Sequence, residues 1–366
     1  MFHLSIIKLS VVILTVFLLL AVPQCCSAFE RTTSKKEVDL LIKAPEIDIG
    51  GTLLVPQTAK RDLLVIFTSG SSWQDRDSTL FDFPMFKVIA QHLAQAGIAS
   101  FRYDDRGVGT STGDFVNSTL DDLSSDLDRI MTFFATNKAH HYRHFVLLGH
   151  SQGGIVVSKA AKNNQNVKAV VLAASPGVTI SQLVLAQIRL EYSLNNHPVA
   201  DVENVVSANN ELLFAAYSHQ NTDVAFLRLK ESYAQLLKPS QLSNTSTDSD
   251  LENRINNTAN EMKINYGLPA LTSFAYYDPL NDLTELRIPV LSLHGGNDRQ
   301  VTIEPNKDRL ETALLKSGSP YRIKVFEEAN HFFQPSKTGL SNEYGTLEKH
   351  FVNGFLDEIS SFILHL

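Results

Sequence analysis

Cysteine is almost absent from this chain, whose 366 residues include only Cys25 and Cys26. Both precede Ala28, and the small residues Cys26, Ser27 and Ala28 are typical of a signal-peptidase cleavage site. Cleavage after Ala28 would leave a mature protein without a thiol. This excludes a cysteine nucleophile, a disulfide framework and a thiolate metal site, and it suits an oxidising compartment.

Charge is equally scarce at the N-terminus. Residues 1–28 contain no acidic residue and one lysine, Lys8, and residues 9–22 are almost wholly apolar up to Pro23. A basic start, a short apolar core and a small-residue exit predict a secretory signal peptide, so we expect an exported protein, periplasmic or secreted. The apolar run is shorter than the ~20 residues of a transmembrane helix. The alternatives are an uncleaved membrane anchor and a lipoprotein modified at one of the two cysteines.

The chain also lacks a cluster of basic residues and a phosphate-binding glycine-rich loop. Its 32 basic and 39 acidic residues give a net charge of −7, and removal of Lys8 with the signal peptide makes it −8. Such a mildly acidic protein offers no electrostatic surface to nucleic acid or anionic lipid. No nucleotide, redox or metal cofactor is predicted. The expected partner is a small-molecule substrate, and the sequence leaves the oligomeric state open.

What the sequence does contain is an alternation of strand-like and helix-like segments. Residues 38–44 and 47–55 predict an opening hairpin. Apolar runs typical of buried parallel strands then alternate with helical spacing. The predicted strands are residues 63–67, 98–103, 145–148, 167–173, 289–293 and 321–326, and the predicted helices are residues 85–96, 120–134, 152–161, 305–316 and 347–366. This order predicts an α/β fold with a doubly wound, mainly parallel sheet.

The alternation is interrupted between residues 178 and 280. A structureless loop longer than ~15 residues is uncommon in a domain, and residues 180–194, 199–217 and 223–237 have helical periodicity. We therefore predict an inserted helical cap over the carboxyl ends of the strands, with a polar stretch at residues 240–257. The predicted domains are the signal peptide 1–28, a core made of residues 29–177 and 281–366, and the cap at 178–280.

A G-x-S-x-G sequence, Gly149 to Gly153, follows the predicted strand 145–148 and opens the next predicted helix. In this context it is a nucleophile elbow, a tight turn that projects the hydroxyl of Ser151 into a cleft. The N-terminus of the helix adds positive potential there. G-x-S-x-G alone is common by chance, so the interpretation depends on the flanking strand and helix. His150 is interpreted as a packing or cleft-wall residue.

A nucleophilic serine needs a base, and the base needs a carboxylate. His331 follows the predicted strand 321–326, and Asp298 lies in the turn after the predicted strand 289–293. Taken alone, Asp298 is typical of a turn and His331 of a surface loop. Together with Ser151 they stand at three strand ends in the order Ser, Asp, His, and we predict all three to be catalytic.

The tetrahedral intermediate of acyl transfer also needs N–H donors for its oxyanion. The first predicted donor is the backbone N–H of Gln152, directly after the nucleophile. The second is expected in the loop that follows the predicted strand 63–67, where we choose Ser71 and keep Ser72 as the alternative.

Four stretches resemble α/β hydrolases of the serine aminopeptidase-like group, near its exported bacterial esterases. They are residues 69–77 (SGSSWQDRD), 103–113 (YDDRGVGTSTG), 149–153 (GHSQG) and 288–301, which includes Ile288-Pro289-Val290 and Asp298-Arg299-Gln300-Val301. They cover the predicted core well and the cap poorly. The resemblance implies the triad Ser151, Asp298 and His331. One departure is Ser69-Gly70, where many relatives have His-Gly.

The remaining polar clusters are interpreted as structural. Residues 75–77 and 105–106 are expected to form an ion-pair and turn network near the site. His140, His141 and His144 lie in a polar connection without nearby carboxylates, so a solvated surface is expected there rather than a metal site.

Together these features predict a carboxylesterase-like serine hydrolase with an acyl-enzyme on Ser151 and a preference for short, soluble acyl groups. An exopeptidase or amidase of the same fold is the first alternative, although relatives that release N-terminal proline usually carry Trp where this chain has Gln152. A non-catalytic binding protein that retains the fold is the second. Epoxide and haloalkane hydrolysis are disfavoured because both need a carboxylate in place of Ser151.

Overall fold

The structure, a computed structural model, describes residues 36–58, 62–162, 164–238 and 248–366. The predicted signal peptide lies outside the described residues. The strands are β1 (Lys36–Lys43), β2 (Asp48–Val55), β3 (Leu63–Thr68), β4 (Thr79–Leu80), β5 (Phe83–Pro84), β6 (Ala99–Tyr103), β7 (His144–His150), β8 (Val167–Ala173), β9 (Val290–Gly295) and β10 (Tyr321–Phe326).

Apart from the C-terminal one, the helices share their chain positions with the predicted ones to within about two residues, and the cap region adds more. They are α1 (Met85–Gln95), α2 (Leu120–Thr136), α3 (Gly153–Lys162), α4 (Ile180–Leu194), α5 (Val199–Ser218), α6 (Thr222–Leu237), α7 (Asp248–Tyr266), α8 (Pro269–Ala275), α9 (Leu280–Glu285), α10 (Ile303–Ser317) and α11 (Phe355–Leu364), with a 3₁₀ helix at Ser341–Thr346. No helix in the described ranges combines the length and hydropathy that a bilayer span requires.

Eight strands form one sheet in the order β1-β2-β6-β3-β7-β8-β9-β10, and β4 pairs with β5 separately. The β1–β2 and β2–β6 pairs are antiparallel. The other neighbouring pairs in the large sheet are parallel. The structure confirms the predicted α/β fold with a mainly parallel sheet.

Helices cover both faces of this sheet. Successive side chains of a strand point to opposite faces, so neighbouring residues of one strand show which helices lie on each face. In β3, Val65 belongs to an apolar cluster that includes residues of α1 and α11. Its neighbour Ile66 belongs to a second cluster that includes residues of α2, α3 and α10. Every residue of β3 is buried, as expected of a strand covered on both sides. The sheet is therefore doubly wound.

Six helices, α4 to α9, lie between β8 and β9, and we call them the cap. α5 packs against α4, α6, α7 and α8. Buried polar groups connect them: the amide oxygen of Asn209 accepts the hydroxyl proton of Tyr266 at 2.8 Å, and its amide nitrogen lies 3.4 Å from the hydroxyl oxygen of Tyr233. Apolar cap residues share one cluster with α2 and α3. The domain boundaries at residues 178 and 280 stay a prediction.

The polar stretch at residues 240–257 is not predicted to be helical, but from residue 248 onward it belongs to α7, and residues 240–247 lie outside the described residues. Most side chains of α7 are polar, but Leu251, Ile255, Ala259 and Met262 are spaced by three or four residues and are buried. This narrow stripe packs against α5 and α6. Tertiary packing therefore stabilises a helix whose composition resembles a loop.

The predicted C-terminal helix starts too early in the sequence analysis, at residue 347 instead of Phe355. Gly354, directly before α11, has a φ of +81°, which is outside the right-handed helical region. Phe351 and Val352 are buried in the preceding non-helical segment. These two apolar residues led to the prediction of a longer helix, although they are buried outside it.

Candidate active site

Ser151 lies at the junction between β7, which ends at His150, and α3, which begins at Gly153. Its φ is +54°, in the left-handed region, which costs a residue other than glycine about 1–2 kcal/mol. The backbone N–H of Ser151 donates to the carbonyl oxygen of Ala173 on β8, at 2.8 Å. The G-x-S-x-G sequence thus forms a strained strand–turn–helix.

Both glycines of this turn are required by close backbone contacts. A Cβ added at Gly149 would lie 2.4 Å from the carbonyl oxygen of Gly153. A Cβ added at Gly153 would lie 2.3 Å from the carbonyl oxygen of Ser69. The second contact shows that the loop after β3 packs directly against the turn that carries Ser151.

Asp298 follows β9 and His331 follows β10, so both lie at the carboxyl edge of the sheet. The Nδ1–H of His331 donates to Oδ2 of Asp298 at 2.8 Å, and both side chains are almost fully buried. Oδ1 of Asp298 accepts the backbone N–H groups of Gln300 and Val301, each at 2.8 Å. The carboxylate is thereby oriented, and Nε2 of His331 is left as the basic nitrogen.

The loop that carries His331 is anchored by the C-terminal segment. The ring of Phe333 stacks on the ring of Phe355 in α11, with centroids 4.2 Å apart. The backbone N–H of Val352 donates to the carbonyl oxygen of Phe333 at 2.8 Å. Oδ1 of Asn330 accepts the backbone N–H groups of Phe332 and Gln334, at 2.9 and 3.0 Å.

His150 links the turn of Ser151 to the loop of His331. Its Nε2 lies 2.9 Å from the carbonyl oxygen of His331, and the two rings are 4.7 Å apart between centroids. Burial lowers the pKa of His150 to about 3, so the ring is neutral and donates Nε2–H. The sequence analysis missed this contact, because nothing in the sequence pairs position 150 with position 331.

The segment Ser69 to Gln74, which we call the oxyanion loop, approaches Ser151 at Gly70. A Cβ added at Gly70 would lie 3.1 Å from the Cβ of Ser151. Gln152, directly after Ser151, is buried. Ser71 is exposed, with its carbonyl oxygen 3.2 Å from Nε2 of Gln74, and Ser72 has a φ of +66°.

Comparison with known protein families matches this chain to the family described as serine aminopeptidase, S33, over residues 84–333, more than half of its length. The chain belongs to the S33 family. The match includes Ser151, Asp298 and His331, and it begins after the oxyanion loop. No curated protein matches the sequence.

Solved structures share the fold of this S33 family member. Esterase Pf2001 from Pyrococcus furiosus aligns with a TM-score of 0.54 and 12% identity, covering 94% of this chain and 96% of that chain. A second crystal form of the same esterase gives a TM-score of 0.52 and 11% identity, covering 94% of each chain. At such identities the likeness shows the fold alone. The chain is an α/β hydrolase by fold and by family.

Several arginines near the oxyanion loop form ion pairs with acidic residues. Arg76 pairs with Asp104 at 2.6 Å, and Arg106 pairs with Asp126 at 2.6 Å. The buried guanidinium of Arg102 pairs with Asp77. The first and third pairs connect residues 75–77 with Arg102 and Asp104, whereas the sequence assigns residues 75–77 and 105–106 to a structural network.

Asp105 differs from these acids because its carboxylate accepts hydrogen bonds from the oxyanion loop and forms no ion pair with any arginine that the structure describes. Its carboxylate accepts the hydroxyl proton of Ser69 at 2.7 Å and the backbone N–H of Gln74 at 2.8 Å. Burial raises its pKa to about 7. The sequence analysis assigned Asp105 to a turn network and did not connect it with Ser69, which stands 36 positions earlier.

The described part of the chain contains no group of three or more His, Cys, Asp or Glu side chains that could hold a metal ion. His140 is half-buried and His141 is exposed in the connection between α2 and β7, and His144 is exposed at the first position of β7.

Proposed function

We propose that the protein is a serine esterase that cleaves carboxylic esters through an acyl-enzyme on Ser151. The observation that carries this proposal is the buried Asp298–His331 pair, 2.8 Å apart, at the same sheet edge as the strained turn of Ser151. A buried Asp that orients an imidazole is the arrangement that activates a serine hydroxyl in acyl transfer. The S33 family match and the α/β-hydrolase fold agree with this chemistry.

In the acylation step, Nε2 of His331 takes the proton of the Ser151 hydroxyl while Oγ attacks the ester carbonyl carbon. Asp298 stabilises the imidazolium that forms. The tetrahedral oxyanion accepts hydrogen bonds from the backbone N–H of Gln152 and from Ser71, with Ser72 as the alternative donor. Collapse breaks the ester C–O bond, and the imidazolium gives its proton to the departing alcohol.

In the deacylation step, His331 acts as base toward water. The water oxygen attacks the acyl carbonyl carbon, and its proton goes to Nε2 of His331. The bond to Oγ of Ser151 then breaks, the proton returns to Ser151, and the carboxylic acid leaves. The enzyme regains its starting protonation state, and no cofactor enters the balance.

The proposed substrates are esters with short, soluble acyl groups. The polar residues 240–257 support this choice, since a lipase needs a larger apolar lid face. A series of p-nitrophenyl esters from acetate to decanoate measures the preference, with kcat/KM expected to be highest at acetate or butyrate. A maximum at octanoate or beyond would contradict the short-acyl proposal while leaving the esterase proposal intact.

The decisive experiment compares wild type, Ser151→Ala and Ser158→Ala with p-nitrophenyl butyrate and a fluorophosphonate probe. Ser158 is a buried serine of α3 whose hydroxyl donates to the carbonyl oxygen of Gly154, so it serves as the matched control. We expect turnover and labelling in wild type and Ser158→Ala, and neither in Ser151→Ala. Equal turnover in wild type and Ser151→Ala would refute the mechanism.

An exopeptidase or amidase is the second candidate, because the matching family is described as a serine aminopeptidase. Aminoacyl-naphthylamides and p-nitrophenyl esters, assayed at equal concentrations, separate the two activities. A third candidate, a binding protein that retains the fold, predicts no fluorophosphonate labelling of the wild type.

We also propose that the protein is exported. The N-terminal sequence of the native protein, recovered outside the cytoplasm, is expected to begin at Phe29, directly after the predicted cleavage site. Recovery of a chain that begins at Met1 would favour the uncleaved anchor.

A further inference from the structure

The carboxylate of Asp105 contacts both ends of the oxyanion loop. Its Oδ1 and Oδ2 lie 2.8 and 2.7 Å from the hydroxyl oxygen of Ser69, which donates to it. Oδ2 also accepts the backbone N–H of Gln74 at 2.8 Å. In return, the backbone N–H of Asp105 donates to the carbonyl oxygen of Gln74 at 3.2 Å. One carboxylate therefore joins the first and last residues of the loop.

The loop is packed closely enough that its position matters for Ser151. Gly70 approaches the Cβ of Ser151, and the carbonyl oxygen of Ser69 lies against Gly153. The proposed oxyanion donor, Ser71, is only two residues beyond Ser69. A change in the position of Ser69 therefore changes the direction of the donor relative to the reacting carbonyl.

Asp105 has no cationic partner within the described residues. The ionisable side chains around it are Tyr103, Asp104, Arg106 and Asp126. The two nearest arginines are paired elsewhere, since Arg76 bonds to Asp104 and Arg106 bonds to Asp126. Hydrogen bonds from the oxyanion loop are the interactions that stabilise the charged carboxylate.

These surroundings place the titration of Asp105 near neutrality. Burial raises its pKa to about 7, the hydrogen bonds from Ser69 and Gln74 oppose the increase, and the charges of Asp104 and Asp126 add to it. A cavity of about 10 Å³, lined by Ser69, Asp105 and other residues, has room for about one water molecule. A water molecule in this cavity would exchange protons with the carboxylate.

We propose that Asp105 is a positioning residue: its ionised carboxylate holds the oxyanion loop against Ser151, and protonation of that carboxylate loosens the loop. Protonation removes the negative charge that strengthens the hydrogen bonds from the Ser69 hydroxyl and the Gln74 N–H, so it weakens the contact with both ends of the loop. Ester hydrolysis then depends on the titration of Asp105. This inference rests on the proposed esterase function.

The test uses Asp105→Asn, which keeps the shape of the side chain and imitates the protonated carboxyl at every pH. kcat/KM for p-nitrophenyl acetate is measured from pH 5 to pH 9 in wild type and variant. The ratio of the two values cancels every pH dependence that both proteins share. We expect a ratio near one at pH 5 that rises to roughly 10–100 at pH 9, with the loss in kcat rather than KM.

Two further variants move the midpoint of this ratio in opposite directions, each measured against its own double variant with Asp105→Asn. Asp126→Asn removes a buried neighbouring carboxylate without touching the oxyanion loop, so the midpoint is expected at lower pH. Ser69→Ala removes a hydrogen bond to the carboxylate, so the midpoint is expected at higher pH. If Asp105→Asn does not fold, the shift in the pH profile of Ser69→Ala alone carries the test.

A ratio that does not change with pH would overturn the inference, because it would show a purely structural role. So would unshifted midpoints in Asp126→Asn and Ser69→Ala. Fluorophosphonate labelling of Ser151 distinguishes this outcome from failure of the proposed function. A wild type that resists labelling refutes the esterase proposal, whereas normal labelling with a flat ratio refutes the role of Asp105 alone.

Discussion

The imidazole of His150 donates Nε2–H to the carbonyl oxygen of His331, 2.9 Å away and 181 positions later in the chain. The residue before the nucleophile thereby fixes the backbone of the proposed base. Because burial lowers the pKa of His150 to about 3, this donor persists over the working pH range. This hydrogen bond therefore links the turn of the proposed nucleophile to the loop of the proposed base.

Replacement of His150 tests that dependence. His150→Leu removes the donor, and we expect kcat/KM for the best ester to fall by roughly 10- to 100-fold, since small misplacements of reacting groups have effects of this size. His150→Gln keeps an N–H donor at a similar distance and is expected to retain more activity than the leucine variant. Equal activity in both variants would show that ring packing, not the hydrogen bond, positions His331.

Substitutions at the triad are expected to lower kcat to different extents. Ser151→Ala and His331→Ala should each lose about 10⁶-fold in kcat, and Asp298→Asn about 10⁴-fold, as in other Ser–His–Asp enzymes. The double variant Ser151→Ala/His331→Ala should lose no more than either single variant, because the groups act as a unit. Steady-state kinetics with one ester measures all four. Additive losses in the double variant would argue that the residues act independently.

Asp105 also gives the free energy of unfolding a pH dependence. Its pKa of about 7 in the folded protein exceeds the ordinary 3.8, so the folded state binds the proton more tightly. This contribution is full below about pH 4 and is lost as the pH rises to about 7. The difference of about three pKa units corresponds to about 4 kcal/mol.

Urea unfolding of wild type and Asp105→Asn between pH 4 and pH 8 measures this contribution. The wild type should lose stability relative to the variant as the pH rises. A difference between the two proteins that stays constant over this range would contradict the burial of Asp105. The same ionisation would then lower stability and support activity, a trade-off often found at functional sites.

Gly153→Ala tests the contact between the turn of Ser151 and the oxyanion loop. The new Cβ would meet the carbonyl oxygen of Ser69, so we expect a loss of about 1–3 kcal/mol of stability and a large fall in kcat. Gly318→Ala is the control, because φ there is +71° but no atom lies within 4 Å of the added Cβ. It should lose about 1 kcal/mol of stability and no activity. Similar kcat values in the two variants would argue against the contact.

The strands and core helices could be predicted from the sequence because their patterns are local. Residues 63–67 of β3 are all apolar, and Leu127, Ile130 and Phe134 of α2 follow helical spacing. Since parallel strands align their carboxyl ends, chain order alone places Asp298 and His331 at one edge. Their hydrogen bond at 2.8 Å is the geometric outcome of that order.

The elements that escaped prediction depend on contacts between distant residues. α7 is stabilised because its narrow apolar stripe packs against α5 and α6. A single sequence does not show which helices this stripe will contact. The same holds for Ser69 with Asp105 and for His150 with the backbone of His331. No residue type or spacing in the sequence predicts a hydrogen bond between two loops that are distant in the chain.

The stacking of Phe333 on Phe355 makes the last segment of the chain a structural support for the proposed base. Proteolytic removal of α11 is therefore expected to abolish the proposed ester hydrolysis while most of the sheet remains intact. A purification tag appended after Leu366 would therefore sit next to a sensitive anchor. Placing the tag between Ala28 and Phe29 avoids it.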